Sequence, residues 1–208
     1  MTTREAQTAR RPRRKAEQTR TDILGVAERL FRERGYSHVA IADIAATLDM
    51  SPANIFKHFH SKTRLVDAIS AQHIEKSVGR FAQPDTTRPA PERLLLLVEQ
   101  LMESHIRDLE ENPYVFEMLL LTASQELQCA HRYREMMVAE IEAIILDGVK
   151  KGAYPIQDGH KSATAASYAF ACVLHPVMIA NERPDILATR CKEVVDLVNA
   201  ALRNPLAK

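Results

Sequence analysis

"AIADIAATLDMSPANIFKHFHSK", residues 40–62, decides the fold. Ile41, Ile44, Ala45 and Leu48 recur at the spacing of one helical face, which predicts a short amphipathic helix. "DMS" turns the chain. Ser51 then offers an N-cap, and Pro52 suits the first helical position, where its missing N–H costs nothing. In this second short helix Ile55 and Phe59, four residues apart, form an apolar side, while Pro52, Ala53, Asn54 and Lys57 point outward. Two short helices joined by a turn of about three residues make a helix-turn-helix: the first braces across a DNA backbone, and the second lays its N-terminal residues into the major groove. Helical proteins use such pairs for other purposes too, so the geometry alone leaves the function open.

The flanks extend the helical reading. Upstream, Ile23, Ala27, Leu30 and Phe31 mark a helix with Thr21 as its N-cap. Gly35 is read as its left-handed terminus, with Tyr36 closing over Phe31 in a Schellman-type contact. Downstream, a helix starts near Ser61 and runs through "KTRLVDAISAQHIEKSVGRF". The Pro-rich "AQPDTTRPAPE" reads as a loop. Five helical segments follow it, and no β-hairpin signal or internal repeat is present. The predicted fold class is all-α: a three-helix head, then a larger helical bundle. The predicted divisions are a basic disordered arm over 1–18, a helix-turn-helix domain over 19–65 and a helical domain over 66–208.

Composition narrows the function. The 208 residues are 46% hydrophobic and 26% charged, as in a globular protein with a real core. No apolar run reaches the ~18 residues of a membrane span, and the N-terminus lacks a secretory core, so a cytoplasmic protein without membrane contact is expected. Net charge is +1, but residues 1–62 carry 12 Lys/Arg against 7 Asp/Glu, whereas the remainder is acidic. A basic front fits a polyanion-binding head. Three scattered cysteines without a C-x-x-C pair read as reduced thiols. Cys129 with His131 and Cys172 with His175 each offer two soft ligands, but no third ligand is grouped with either pair, and no metal or other cofactor is expected. No phosphate loop, zinc-protease motif or nucleophile elbow appears, and no enzymatic activity is expected.

"ILGVAERLFRERGY", "IADIAATL" and "SPANIFKHFHSKTRLVDAI" together resemble the N-terminal domain of TetR-type transcriptional regulators. About 50 of the 208 residues, Thr21 to Ile69, carry the resemblance. It implies a homodimeric repressor on a palindromic double-stranded DNA operator, released when a small-molecule effector enters the second domain. An activator with the same head, or a helical protein-interaction module, are the alternatives. The two-fold symmetry would set half-sites about 34–36 Å apart or a multiple of that.

The resemblance implies that Lys62 and His58 contact phosphates, Lys62 with the help of its helix N-terminus. From chemistry alone, Lys57 is the preferred base reader because lysine donates to guanine O6 and N7, though a phosphate contact serves it equally well. Asn54 either pairs with adenine or bonds within its own first turn. Pro52 and Ala53 offer apolar contact to a thymine methyl, and Ser51 caps its helix and reaches a phosphate. Three positions depart from the family pattern. Phe56 replaces a tyrosine and lacks its hydroxyl, although the ring still fills space against the sugar-phosphate edge. Asp49 replaces a glycine in the turn, and Ala40 and Ala42 stand where a hydroxyl cap and a cation are usual. Arg10, Arg11, Arg13 and Arg14 of the basic arm offer compensating contacts, since arginine favours narrow minor grooves.

In the second domain, Leu187, Cys191, Val194, Val198 and Ala201 form one seam on the last helix, alternating in steps of four and three. With the small residues of "SATAASYAFAC", the resemblance makes this a symmetric four-helix interface between two copies; an internal core face is the other reading. Pro176 should kink or break its helix. Methionine adapts to varied ligands, and Met102, Met118 and Met137 are candidates to line an effector site, together with His105, Cys172 and His175. Plain core packing explains the same residues.

Overall fold

A computed structural model describes residues 5–81, 87–111, 113–125 and 127–204, with side chains from residue 16 and, in the helix that ends at Phe81, as far as residue 75. The chain divides into two compact units, Met1–Ser70 and Ala71–Lys208. Every regular element among the described residues is helical.

The first unit holds α1 (Glu5–Arg34), a single 3-10 turn (Tyr36–His38), α2 (Ile41–Thr47), α3 (Pro52–His58) and the start of α4 (Lys62–Phe81). Helix α1 begins far earlier than expected. The segment read as a disordered arm is helical from Glu5, because Ala, Gln, Glu, Lys and Arg are strong helix formers even without an apolar face. Residues 1–4 of that arm lie outside the described residues. Thr21 is therefore no N-cap. It sits inside α1, where its hydroxyl donates to the Glu17 carbonyl one turn back at 3.0 Å.

Gly35 ends α1 with φ 78° and ψ 150°, its N–H bonding the Phe31 carbonyl at 2.8 Å. Phe31 and Tyr36 do meet edge to face, with ring centroids 5.5 Å apart. The Schellman pattern itself lies one helix later. Asp49 has φ 52°, the only positive φ outside glycine among the described residues. Its N–H bonds Ala46 at 3.2 Å, while Met50 N–H reaches back to Ala45 at 2.9 Å. An aspartate thus does glycine's work in the turn. Ala40 has no side chain to cap α2, but Asp43 supplies half of a capping box by accepting the Ala40 N–H at 2.7 Å. Ser51 caps α3 as expected, accepting from the Asn54 N–H at 3.3 Å with Pro52 in the first turn. Ile23, Phe31, Ile44, Ile55 and Leu65 are fully buried in this unit, each worth about 1.5–3 kcal/mol of transfer from water.

The second unit adds α5 (Ala90–Glu111), α6 (Pro113–Ser124), α7 (Gln128–Lys150), α8 (Gly159–Leu174), α9 (Pro176–Ala180) and α10 (Pro184–Arg203) to the end of α4. Its core joins Leu94, Leu101, Ile141, Phe170, Leu187 and Cys191, among others, from α5, α7, α8 and α10. Residues 159–180 are long and apolar enough to qualify as a membrane span by composition, with mean hydropathy 1.5, contrary to the expectation of no such run. The folded segment is two helices, because Pro176 breaks it and His175 closes α8 and opens α9. Sixteen residues of α8 reach only about 24 Å, short of a ~30 Å hydrocarbon layer.

Two polar contacts fix the packing. The Tyr154 hydroxyl donates to Asn199 Oδ1 at 2.7 Å, and Asn199 Nδ2 donates to the Pro91 carbonyl at 3.4 Å. Beside them, buried Arg93 pairs with Asp147 at 2.5 Å. Lys151 and then Arg93 hold the Asp147 carboxyl below its usual range. Gly148 lies against the ring of Tyr154, where a Cβ would fall 2.4 Å and 2.6 Å from two ring carbons.

Candidate functional site

The inner side of α3 is set by Ile55, which is fully buried, and by Phe59, buried just past its end. Its outer side therefore faces solvent. Pro52, Ala53, Phe56 and Lys57 are exposed, Phe56 by 44%, and Asn54 and His58 are half-buried. An apolar ring and a lysine stand side by side on a surface held rigid from beneath. Phe56 is the one large apolar side chain exposed on this helix among the described residues. Ser51 is exposed and spends its oxygen on the cap.

Lys62 has a partner within the head that the sequence reading did not anticipate. Its ammonium donates to the Tyr36 carbonyl and lies 3.9 Å from the centre of the Tyr36 ring. It is half-buried, and its charge is engaged within the head. The side chains of Arg10, Arg11, Arg13 and Arg14 lie outside the described residues.

Arg20 was missed in the sequence. Its Nη1 donates to the His58 carbonyl at 3.1 Å, and its guanidinium stacks 4.1 Å from the centre of the Phe59 ring. It thus puts a cation at the C-terminal end of α3, where free carbonyls attract positive charge, and ties that end to α1. Arg20 and Phe59 lie 39 positions apart, and no local pattern signals the pairing.

The second unit holds a partly open cavity of about 250 Å³ lined from α4 to α9. Of the six proposed ligand residues, His105, Met137 and His175 line it. Met102 and Met118 do not: they are buried at 3% and 1% exposure and fill the unit's interior. Cys172 is half-buried away from the cavity wall. Tyr133, unanticipated, sits one turn before Met137 on the same face of α7. Its ring centroid lies 6.1 Å from that of His105. His105 Nδ1 lies 3.1 Å from the Leu174 carbonyl, which assigns the proton to Nδ1. Burial pulls its pKa down to about 4, against a smaller opposing effect of that bond. Burial also raises the Tyr133 phenol.

The seam assigned to a partner copy turns out to face inward. Leu187 and Cys191 are fully buried, Val198 nearly so, and Val194 packs partly against the same core. Only Ala201 is exposed. The opposite face of α10 carries the exposed apolar residues Ile186 and Leu197, the latter 68% accessible, and α8 exposes Tyr168 by 71%. Desolvation pushes the Cys191 thiol up to about 11, so it is an inert core thiol.

Comparison with known proteins agrees with this division. The head matches the family model "Bacterial regulatory proteins, tetR family" over residues 23–69, and residues 90–195 match "Tetracyclin repressor-like, C-terminal domain". The transcriptional regulator UidR of Escherichia coli is 36% identical over 69 residues, 33% of this chain and 35% of that protein. The transcriptional regulator TtgR of Pseudomonas putida is 38% identical over 60 residues, 29% of each chain. These alignments span about a third of the relatives' own length. Among solved structures, a TetR-family regulator from Pectobacterium atrosepticum superposes with a TM-score of 0.67 at 20% identity, covering 94% of this chain and 98% of that one. RolR in complex with its ligand resorcinol gives 0.63 at 19% identity, with the same coverage. With its head and half its length matched by the two models, the chain belongs to the TetR family of DNA-binding transcriptional regulators.

Proposed function

We propose that this chain is a homodimeric repressor that leaves a palindromic operator when a small molecule fills the cavity of its second unit. The observation that carries the reading is the outer side of α3, where Pro52, Ala53, Phe56 and Lys57 are exposed over a fully buried Ile55. On this reading residues 19–65 bind DNA and 66–208 bind effector and partner. Lys57 reads a base, Pro52 and Ala53 pack on a thymine methyl, and Phe56 covers a sugar edge. Asn54 and His58 flank them, while Ser51 and Arg20 hold the helix. An ammonium carries three N–H donors, so Lys62 can hold the Tyr36 carbonyl and still reach a phosphate, with Arg10, Arg11, Arg13 and Arg14 adding further backbone contacts. The cavity is the effector site, with His105, Met137, His175 and Tyr133 on its wall. Its size suits a ligand in the class of the resorcinol bound by RolR.

The DNA reading is tested by selecting bound sequences from random DNA and then measuring affinity at two salt concentrations. Lys57→Ala should weaken the selected site by about 1–3 kcal/mol and relax preference at one base pair. A uniform loss over all sequences would make Lys57 a phosphate anchor instead.

The partner surface is assigned to the outer face of α10 with α8. Leu197→Glu should convert the dimer to monomer in light scattering and abolish binding to a two-half-site operator. A dimer unchanged by that charge would place the interface elsewhere.

A further inference from the structure

We propose that the cavity of the second unit selects a small, uncharged, one- or two-ring ligand bearing a hydroxyl group, which accepts a hydrogen bond from Tyr133 and donates one to His105. This rests on reading the cavity as the effector site. Tyr133 Oη is buried, with no hydrogen-bond partner among the described residues. A buried donor left unmatched carries its full desolvation penalty, which a ligand oxygen would relieve. The neighbouring His105 commits its Nδ1–H to the Leu174 carbonyl at 3.1 Å. Nε2 remains as the ring's acceptor.

The wall thus supplies one donor and one acceptor on rings 6.1 Å apart. A hydroxyl is the smallest group that answers both. An ether or ketone oxygen answers Tyr133 alone. A carboxylate would set its charge against the lone pair of a neutral imidazole, and an ammonium offers Tyr133 no acceptor. Burial keeps His105 neutral near pH 7.

Elsewhere the wall is largely apolar, with Ile74, Leu101, Val115, Leu119 and Leu174. Of the charged residues on it, Arg134 is exposed and donates to His131 Nδ1 at 2.7 Å, and Asp108 is half-buried and already partnered. His175 on the same wall is also exposed, and His73 is half-buried and already partnered, so none of the four offers a buried counter-charge to an ionic ligand. The volume is about 250 Å³. A dry cavity of about 150 Å³ holds benzene, so one substituted ring or two fused rings match this one.

Equilibrium dialysis of the full chain at pH 7 against 2-naphthol, naphthalene and 2-naphthoate separates the terms, because the three share a shape. 2-Naphthol should bind at least about tenfold tighter than either of the others. Tyr133→Phe should bring 2-naphthol to within about threefold of naphthalene while leaving naphthalene itself unaffected. Equal binding of 2-naphthol and naphthalene, tighter 2-naphthoate, or a Tyr133→Phe loss shared by all three would overturn the ligand class and leave the cavity a binding site. Retention of none of the three would overturn the effector-site reading itself.

Discussion

Lowering the pH from 7 to 4 should remove about 3 kcal/mol of stability from the second unit through His105 alone. In the unfolded chain this histidine takes up a proton near pH 6.5, but in the folded unit only near 4, because burial disfavours its charged form. Between those values the unfolded state binds more protons, so stability falls as pH falls. At 1.36 kcal/mol per pH unit of displacement, the whole effect is about 3 kcal/mol, present above pH 6.5 and lost by about pH 4. Urea unfolding followed by helical circular dichroism at pH 7 and pH 4 measures it. His105→Asn keeps a donor toward the Leu174 carbonyl but cannot titrate. Its loss between the two pH values should be smaller than the native protein's by about that amount. Equal losses would mean that His105 is not held neutral by burial.

Gly148→Ala should destabilise the protein by about 2 kcal/mol, against the ordinary rule. Alanine inside a helix normally gains about 1 kcal/mol over glycine. Here the added methyl would stand 2.4 Å from a carbon of the Tyr154 ring and 2.9 Å from the Ala90 methyl. The ring has nowhere to go, since Tyr154 is 2% exposed and its hydroxyl is bonded to Asn199. Overpacking of this kind costs about 3 kcal/mol, which outweighs the gain in propensity. Gly25 in α1 is the internal control, because nothing lies within 4 Å of its missing Cβ. Gly25→Ala should therefore stabilise by up to about 1 kcal/mol in the same urea experiment. Two substitutions of the same kind should shift the midpoint in opposite directions; a shared direction would refute the packing argument.

The difference between those glycines marks how far sequence reading reached. Features fixed by near neighbours were legible: the Ser51 cap, the Pro52 start, the buried pair Ile55 and Phe59, and the break at Pro176. Asp49 was legible as the residue that takes the turn, because few side chains tolerate that conformation. The helical extension of α1 was not, since periodicity detects an apolar face and residues 5–18 have none. Contacts between distant positions left no local trace, as with Arg20 on Phe59 and Lys62 on Tyr36. The α10 seam failed for a related reason. Spacing identifies an apolar stripe, but a stripe against the protein's own core and one against a second copy have the same period. Leu187 and Cys191 belong to the first kind, and Leu197 points the other way. The cavity was half legible. His105, Met137 and His175 were found, but Met102, one turn from His105, fills the core, because a cavity exists where side chains fall short of one another.

The bridge from Tyr154 through Asn199 to Pro91 also constrains how the protein is made. Its three members enter the world in order, Pro91 first and Asn199 last, 108 positions later. Until Asn199 has left the ribosome, neither the Tyr154 hydroxyl nor the Pro91 carbonyl can bury itself with its partner. The core that gathers around Leu187, Cys191 and Val195 waits on the same helix. The head, whose buried residues all precede residue 71, faces no such delay. During synthesis all the residues of the head are therefore available while the second unit still lacks α10, and the apolar surface left uncovered in that interval is of the kind that favours aggregation.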